Sequence, residues 1–563
     1  MGIPFYFSYI VKNHPFIIQK YIKEKIHINN LFLDCNSIVY DVVNTMKYEE
    51  ITETLHNHII KHVIHKIENY INIISPTNVI YIAFDGVAPV AKLQQQRDRR
   101  YKSWYQSEMS KNIHQKTIRV DAFNTTAITP GTSFMTELNT KIRTHFKSIN
   151  SKNNIIFSGS DEAGEGEHKL FHYMRTSENI TKDSCNVVYG LDADLIMLSI
   201  NHLPSLPHIY LFRETPEFIK SLDSTLEPNA SYFLDIPELA KMISLEMETK
   251  TETETETETE TETETENRRM YDYIFICFFL GNDFMPHFPS INIRTGGVNK
   301  MLNAYKATIG STQETLVTNE GKKIIWKNVR KLVQHLVEQE HPYLLEEYKY
   351  RDRREKTFYP ETKPEEIFKK FENIPTIDRG LEKYINPRKP GWQSRYYHTL
   401  FDWDPSMTNT SVVADDRKRE LCINYLEGLE WTMKYYSNGC ADWRWKYHYN
   451  YPPLLEDLIH FIPLLDTEFI SNKTNNKPVS TLFQLSYVLP KTSLHLLPKE
   501  IEKKLLQDHG EWYNNNCEFV WAFCKYFWES HVVLEEIDVV ALDAIVTAYE
   551  EKHKEKEIEK QLL

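Results

Sequence analysis

Seven carboxylates stand where an α/β fold would gather them: Asp34 in LFLDCN, Asp85 in IAFDG, Glu165 and Glu167 in GEGEH, Asp192 and Asp194 in LDADLIML, and Asp283 in GNDF. Asp34, Asp85 and Asp192 each follow a short apolar run. In an open parallel sheet the carboxyl ends of the strands line one crevice, and ligands bind there. Taken singly, an aspartate after a strand is as readily a turn residue or a helix cap. Taken together the acids need compensation, because two carboxylates ~4 Å apart repel by about 4 kcal/mol at an effective dielectric near 20. Oxygen-only ligation, with no Cys or His, selects hard ions such as Mg²⁺ or Mn²⁺. A cluster holding two such ions suits phosphodiester cleavage.

A basic face begins close by. Lys92, Gln96, Arg99 and Arg100 fall at offsets 0, 4, 7 and 8, within a ~100° arc of one helix. A charged helix face is ordinarily just solvated. Here it starts seven residues after Asp85, beside the expected metal site. Arginine forks match phosphate oxygens bidentately, so the face reads as a pocket for a terminal phosphate.

The elements that must position these residues follow from the apolar pattern. Leu31–Leu33, Val79–Phe84, Ile155–Phe157, Val187–Tyr189 and Ile209–Phe212 read as buried strands. Between them, Leu55–Ile74, Lys92–Lys111, Ser133–Phe146 and Asp161–Arg175 read as helices, and Tyr271–Leu280 leads as a helix into Gly281-Asn282-Asp283. That alternation predicts an α/β domain with a mostly parallel sheet. The Thr-Glu repeat from Thr251 to Glu266 puts eight glutamates on one face of any strand. Nothing pairs them, so a disordered, solvated insertion is expected over 249–266. Residues 311–390 are charged and mostly helical, with a dense run Arg351-Asp352-Arg353-Arg354-Glu355-Lys356 that reads as part of a helical arm and connector. From Trp392 the composition shifts to aromatics, which predicts a second, mainly helical region over 391–563.

Composition narrows the class. Of 563 residues, 41% are apolar and 26% charged, as in ordinary globular proteins. No stretch approaches the ~18 apolar residues of a membrane span, and the N-terminus lacks the basic and apolar regions of a secretory signal. A net charge of −13 does not exclude a nucleic-acid partner, because eight of the acids sit in the repeat and others gather at the expected metal site. The seven cysteines form no CxxC pair, which fits a reducing, intracellular compartment.

The motifs together carry a likeness. MGIP, LFLDCNSIVYD, FDGVAPVAKLQQQRDRR, TPGTSFM, GEGEHKL, YGLDADLIML and FFLGNDFMPHFPS follow one another in this order. LEGLEWTMKYYSNGCADWRWKYHYNYPP and LFQLSYVLPKTSLHLLP extend the series. The chain resembles the Xrn-type 5′→3′ exoribonucleases over nearly its whole length, apart from the repeat and the connector. The resemblance implies a PIN-like α/β nuclease domain over 1–310 and a second region that completes the active-site channel. It implies processive, Mg²⁺-dependent hydrolysis of single-stranded RNA bearing a 5′-monophosphate, yielding mononucleotides. By position Asp34, Asp85, Glu165, Glu167, Asp192, Asp194 and Asp283 match the family's catalytic, metal-binding acids. Lys92, Gln96, Arg99 and Arg100 match its 5′-phosphate pocket.

Two departures matter. Tyr40 stands where the family commonly has a histidine that stacks on the terminal base, and an aromatic face can serve the same end. The chain also stops near the minimal catalytic core. Trp443 and Trp445 are two apart, so an extended strand would point both to one face, either to clamp bases against Tyr40 or simply into the core. A monomer is expected, with single-stranded RNA and a decapping or end-processing enzyme as partners and no membrane. A flap-endonuclease-like enzyme, a haloacid-type phosphatase and a non-catalytic RNA-binding scaffold are the competing readings. The many Asn, Ile, Lys and Tyr residues, with the tandem repeat, suggest a virus-encoded protein.

Overall fold

The computed structural model describes residues 5–20, 27–47, 51, 53–114, 123–148, 154–248, 262–312, 314–318, 320–403, 416–471 and 476–562. The MGIP segment and residues 249–261 of the expected insertion lie outside them. Glu262 opens a helix that runs to Cys277.

Seven strands form the main sheet: β1 Ile18–Gln19, β2 Asn30–Asp34, β3 Val79–Ala83, β4 Asn154–Ser158, β5 Asn186–Tyr189, β6 Ile209–Glu214 and β7 Ser231–Asp235. Their order is β1-β7-β6-β5-β2-β3-β4. The ladders from β4 through β3, β2 and β5 to β6 are parallel. β7 runs antiparallel to β6, and β1 antiparallel to β7. The sheet is therefore mixed rather than parallel throughout. Both antiparallel strands escaped the sequence, since β1 spans two residues and β7 has only three apolar positions flanked by polar ones.

Alternate residues of the central strands feed two cores. Leu31, Leu33, Ile80, Ile82, Val187 and Tyr189 pack with the helices Asn36–Thr45, Leu55–Ile74 and Ser133–Ser148. Phe32, Tyr81 and Val188 face the other way, into a larger core shared with the C-terminal half. β2, β3 and β5 are buried on both faces, which is why they read as unbroken apolar runs. Leu33 pairs with Ile82 on one side and Tyr189 on the other. That register carries Asp34, Asp85 and Asp192 past one edge of the sheet.

The helix expected from Asp161 begins only at Gly166. Gly164 at φ +107° breaks the preceding segment, a conformation open to glycine and costly for other residues. The connector holds a helix of 30 residues, Trp326–Glu355. Its charged run is only partly solvated. Arg351 is buried, donates to both Glu382 oxygens at 2.8 and 2.6 Å, and donates to the Cys524 carbonyl at 2.8 Å. The aromatic second region is built on the helix Asp416–Ser437, which buries Trp431, Tyr435 and Tyr436. A smaller core ties Val87, Ala88, Val90 and Leu93 to the helix Thr481–Val488. The second region thus grips the start of the basic helix Val90–His114.

Candidate active site

The acids meet at the edge that the register defines. Asp34 ends β2, and its Oδ1 is buried without a hydrogen-bond partner. Burial, and then the charges of Asp85 and Asp192, push its carboxyl well above the usual range. Asp85 is anchored twice: the Gly166 amide donates to Oδ1 at 2.6 Å, and the Asn36 amide donates to Oδ2. A Cβ on Gly166 would lie 2.6 Å from Asp34 Oδ1, so only glycine lets the first helical turn approach both aspartates.

Glu165 and Glu167 flank that glycine and are buried. Glu165 takes a 2.8 Å hydrogen bond from the Tyr435 hydroxyl and lies 2.7 Å from the Lys92 ammonium. Burial raises its pKa against the pull of Lys92. Glu167 Oε2 has no partner, and burial and Asp194 push this carboxyl well above the usual range. Asp194 begins the helix Asp194–His202 and accepts a 2.8 Å hydrogen bond from Tyr436. Burial and the Asp283 charge push it up to about 6. Asp192 is the exposed member. Asp283 follows the turn at Gly281, where φ is +82°. Burial would raise its pKa, but Lys92 at 2.6 Å holds it below the usual range.

Among the described residues Lys92 makes direct ion pairs with two acids of the group, Glu165 and Asp283. Burial pulls its pKa down, and the Asp283 and Glu165 charges outweigh that and hold it well above the usual value. Gln96 and Arg100 follow Lys92 along the helix, and the Arg99 charge acts on Asp192 and Asp283. Arg100 is held by Thr129 at 2.8 Å, its Nη1 has no partner, and burial pulls its pKa down to about 10. Gln96 Oε1 is likewise without a partner, and Arg99 is exposed. Tyr40 is 40% exposed. Burial raises its pKa while Arg100 and Arg99 oppose the shift, so its ring and the two guanidiniums share one neighbourhood.

The tryptophans separate. Residues 443 and 444 form a turn rather than a strand. Trp445 is core, stacked on Trp431 at 5.1 Å and 24°. Trp443 is half-buried, and its carbonyl accepts from the Val90 amide at 2.9 Å, at the head of the basic helix.

Three contributors were not legible in the sequence. His168 joins Glu165 and Glu167 in a group whose ligand atoms all lie within 4.8 Å of one another, which adds one candidate nitrogen ligand to the carboxylates. Burial and the cations Arg175 and Lys92 keep its imidazole neutral, the form that ligates metals. Its ring stacks on Tyr435 at 3.7 Å. Tyr435 and Tyr436 themselves gave only helical aromatic spacing, which reads as core. The position of His168 next to Glu167 in GEGEH was the one available hint. The unpartnered oxygens of Asp34 and Glu167, with His168 and the neighbouring acids, fit a divalent cation.

Among the described residues no helix is long and apolar enough to cross a membrane. Two family models match the chain. XRN 5′-3′ exonuclease N-terminus matches residues 1–215, and Xrn1 helical domain matches residues 263–380 and 378–561. The chain is 26% identical to 5′-3′ exoribonuclease 1 of Saccharomyces cerevisiae over 88% of its length and 40% of that protein. It is 25% identical to 5′-3′ exoribonuclease 2 of Gallus gallus, over 96% of this chain and 69% of the relative. To 5′-3′ exoribonuclease 1 of Homo sapiens it is 26% identical, over 88% of this chain and 31% of the relative. The chain thus spans less than half the length of the yeast and human proteins. With both models matched in order, and the matched segments carrying every acid of the cluster, the chain belongs to the XRN 5′-3′ exonuclease family.

Proposed function

We propose that this chain is a 5′→3′ exoribonuclease that hydrolyses single-stranded, 5′-monophosphorylated RNA to mononucleotides. The observation that carries the reading is the junction at Lys92, where a buried acid cluster and a basic helix face meet. Two divalent cations, Mg²⁺ or Mn²⁺, held by Asp34, Asp85, Glu165, Glu167, Asp192, Asp194 and Asp283 would lower the pKa of the attacking water and stabilise the leaving oxygen. The protein's own groups do the positioning. Tyr435 and Tyr436 fix the Glu165 and Asp194 carboxylates. Gln96, Arg99 and Arg100 offer polar atoms to the terminal phosphate, and charge-assisted forks of this kind select a phosphate over a hydroxyl. Tyr40 presents a ring on which a terminal base can stack without its identity being read.

The PIN-like arrangement of the N-terminal domain is part of this proposal, supported by the acids at the ends of parallel strands. So are monomeric action and a decapping or end-processing reaction upstream, because the pocket calls for 5′-monophosphate ends. All seven cysteines are free thiols, which supports an intracellular, reducing setting. One RNA carrying a 5′-monophosphate, 5′-triphosphate or 5′-hydroxyl, digested with and without Mg²⁺, tests the reading. Mononucleotide release from the monophosphate alone, and only with metal, is expected. Equal digestion of all three ends, or internal cleavage, would overturn it.

A further inference from the structure

A cavity of about 770 Å³ lies along another flank of the helix Val90–His114. One end reaches the acid edge, since Asp283 and Ala193 line it, and Ala193 sits between Asp192 and Asp194. On the helix the cavity takes Ala91, Gln95, Asp98 and Lys102. That stripe is rotated from the Lys92-Gln96-Arg100 face, and Arg99 borders both. The volume is within the range of small-molecule sites, about 300–1,000 Å³.

The wall is arranged for an anion. Three of its acids already have cations: Asp283 has Lys92 at 2.6 Å, Glu536 has Lys446 at 2.6 Å, and Glu529 has Arg294. Arg213, in β6, is buried; its Nε donates to the Glu214 carbonyl at 3.5 Å, and the Asp192 and Glu214 charges act on it without a direct ion pair among the described residues. Its guanidinium lies 3.9 Å from the centroid of the Phe7 ring. Phe218, 55% exposed, and Trp528 add aromatic faces to the wall. A buried guanidinium beside aromatic surface suits a ligand with one phosphate and one base.

We propose that this cavity is a product chamber. It takes the nucleoside 5′-monophosphate released at the acid edge, with its phosphate on Arg213 and its base on the aromatic wall. The inference rests on the exonuclease reading. Each cycle of such an enzyme leaves a mononucleotide at the acids while the shortened strand must advance into the same place, so a route beside the strand path lets the product clear first.

Adenosine 5′-monophosphate is the probe, used as an inhibitor of RNA hydrolysis in Mg²⁺ and as a ligand in equilibrium dialysis without RNA. A filled chamber blocks turnover without displacing the strand end. Inhibition with a noncompetitive component against RNA is therefore expected, together with a second bound nucleotide beyond the one in the terminal-phosphate pocket. Arg213→Met should raise the noncompetitive inhibition constant at least tenfold and remove the second bound nucleotide, while KM for RNA shifts less than twofold. Phe218→Asp should do the same, and as a surface change it keeps the test valid should Arg213→Met fail to fold. Purely competitive inhibition with a single bound nucleotide would overturn the proposal. So would a parallel loss of RNA affinity in both variants, which would make the cavity part of the strand path. Dialysis showing the Arg213-dependent site in a protein that cleaves no RNA would instead remove the exonuclease reading alone.

Discussion

The Tyr435 hydroxyl donates a 2.8 Å hydrogen bond to Oε1 of Glu165 across 270 residues of sequence. The next residue, Tyr436, does the same for Asp194 across 242 residues. One turn of the helix Asp416–Ser437 therefore orients acids from two different elements of the N-terminal domain. The second region is part of the acid cluster's support rather than an appendage.

Tyr435→Phe and Tyr436→Phe should each weaken divalent-metal binding about 10- to 100-fold, the usual cost of losing a group that orients a metal ligand. Mn²⁺ titration by calorimetry, alongside the Mg²⁺ dependence of cleavage, reads this directly. The preference for a 5′-monophosphate should not change. Wild-type metal affinity in both variants would show that the phenols only fill space.

Asp192→Ala and Asp194→Ala should abolish cleavage. Without metal the melting temperature of Asp194→Ala should hold or rise, because burial and the Asp283 charge disfavour that carboxylate in the folded protein. Added Mg²⁺ should stabilise the wild type more than either variant. Near-wild-type turnover in both would sink the metal-site reading.

Arg100→Ala should lower discrimination between 5′-monophosphate and 5′-hydroxyl RNA by about 10- to 150-fold, from a charge-assisted contact of roughly 1.5–3 kcal/mol. Arg99→Ala, at an exposed position, should act in the same direction and more weakly. An unchanged ratio of rates for the two ends would make the helix face a solvated surface.

Trp445→Ala should cost about 3–5 kcal/mol of stability, as truncation of a large buried side chain does. Trp443→Ala and Tyr40→Ala should instead shorten the run of nucleotides removed per binding event, each stacking contact contributing about 1–3 kcal/mol. Tyr40→His should be tolerated. Full processivity on long RNA in Tyr40→Ala and Trp443→Ala alike would leave the phosphate pocket as the sole grip.

Glu340 supplies a pH test away from the acid cluster. It is buried and accepts the Leu455 and Glu456 amides at 2.8 and 3.2 Å. Burial pushes it up to about 8. A carboxyl with a folded-state pKa above its unfolded value adds stability that is complete below the unfolded value, near ~4.3. That stability is lost as the pH rises through about 8. Relative to Glu340→Gln, the wild type should thus lose a few kcal/mol between pH 5 and pH 9, at about 1.4 kcal/mol per unit. Melting curves of both proteins across that range check it, and a constant gap would mean that Glu340 does not titrate there.

Much of this was written locally. The central strands are short apolar runs because both faces are covered, and the acids follow them directly, so period and punctuation sufficed to find Asp34, Asp85 and Asp192. The helix Leu55–Ile74 was legible to the residue, because Ile59, Ile60, Val63, Ile67, Tyr70 and Ile74 repeat at helical spacing. Lys92, Gln96, Arg99 and Arg100 share one helix face by spacing alone. What the tertiary structure decided lies in contacts between distant segments, which no local period encodes. Lys92 reads as one more basic residue until Glu165 and Asp283 close on it. Arg351 reads as part of a solvated charge run until Glu382 and the Cys524 carbonyl enclose it. Trp443 and Trp445 share a face only in an extended strand, and the turn between them sends one to the core. β1 is too short to announce itself and β7 offers only three apolar positions between polar ones, since pairing rather than propensity holds them. An isolated segment specifies which atoms it can bury or offer, and the partner that arrives from hundreds of residues away determines whether an ion is a ligand, a clamp or a surface charge.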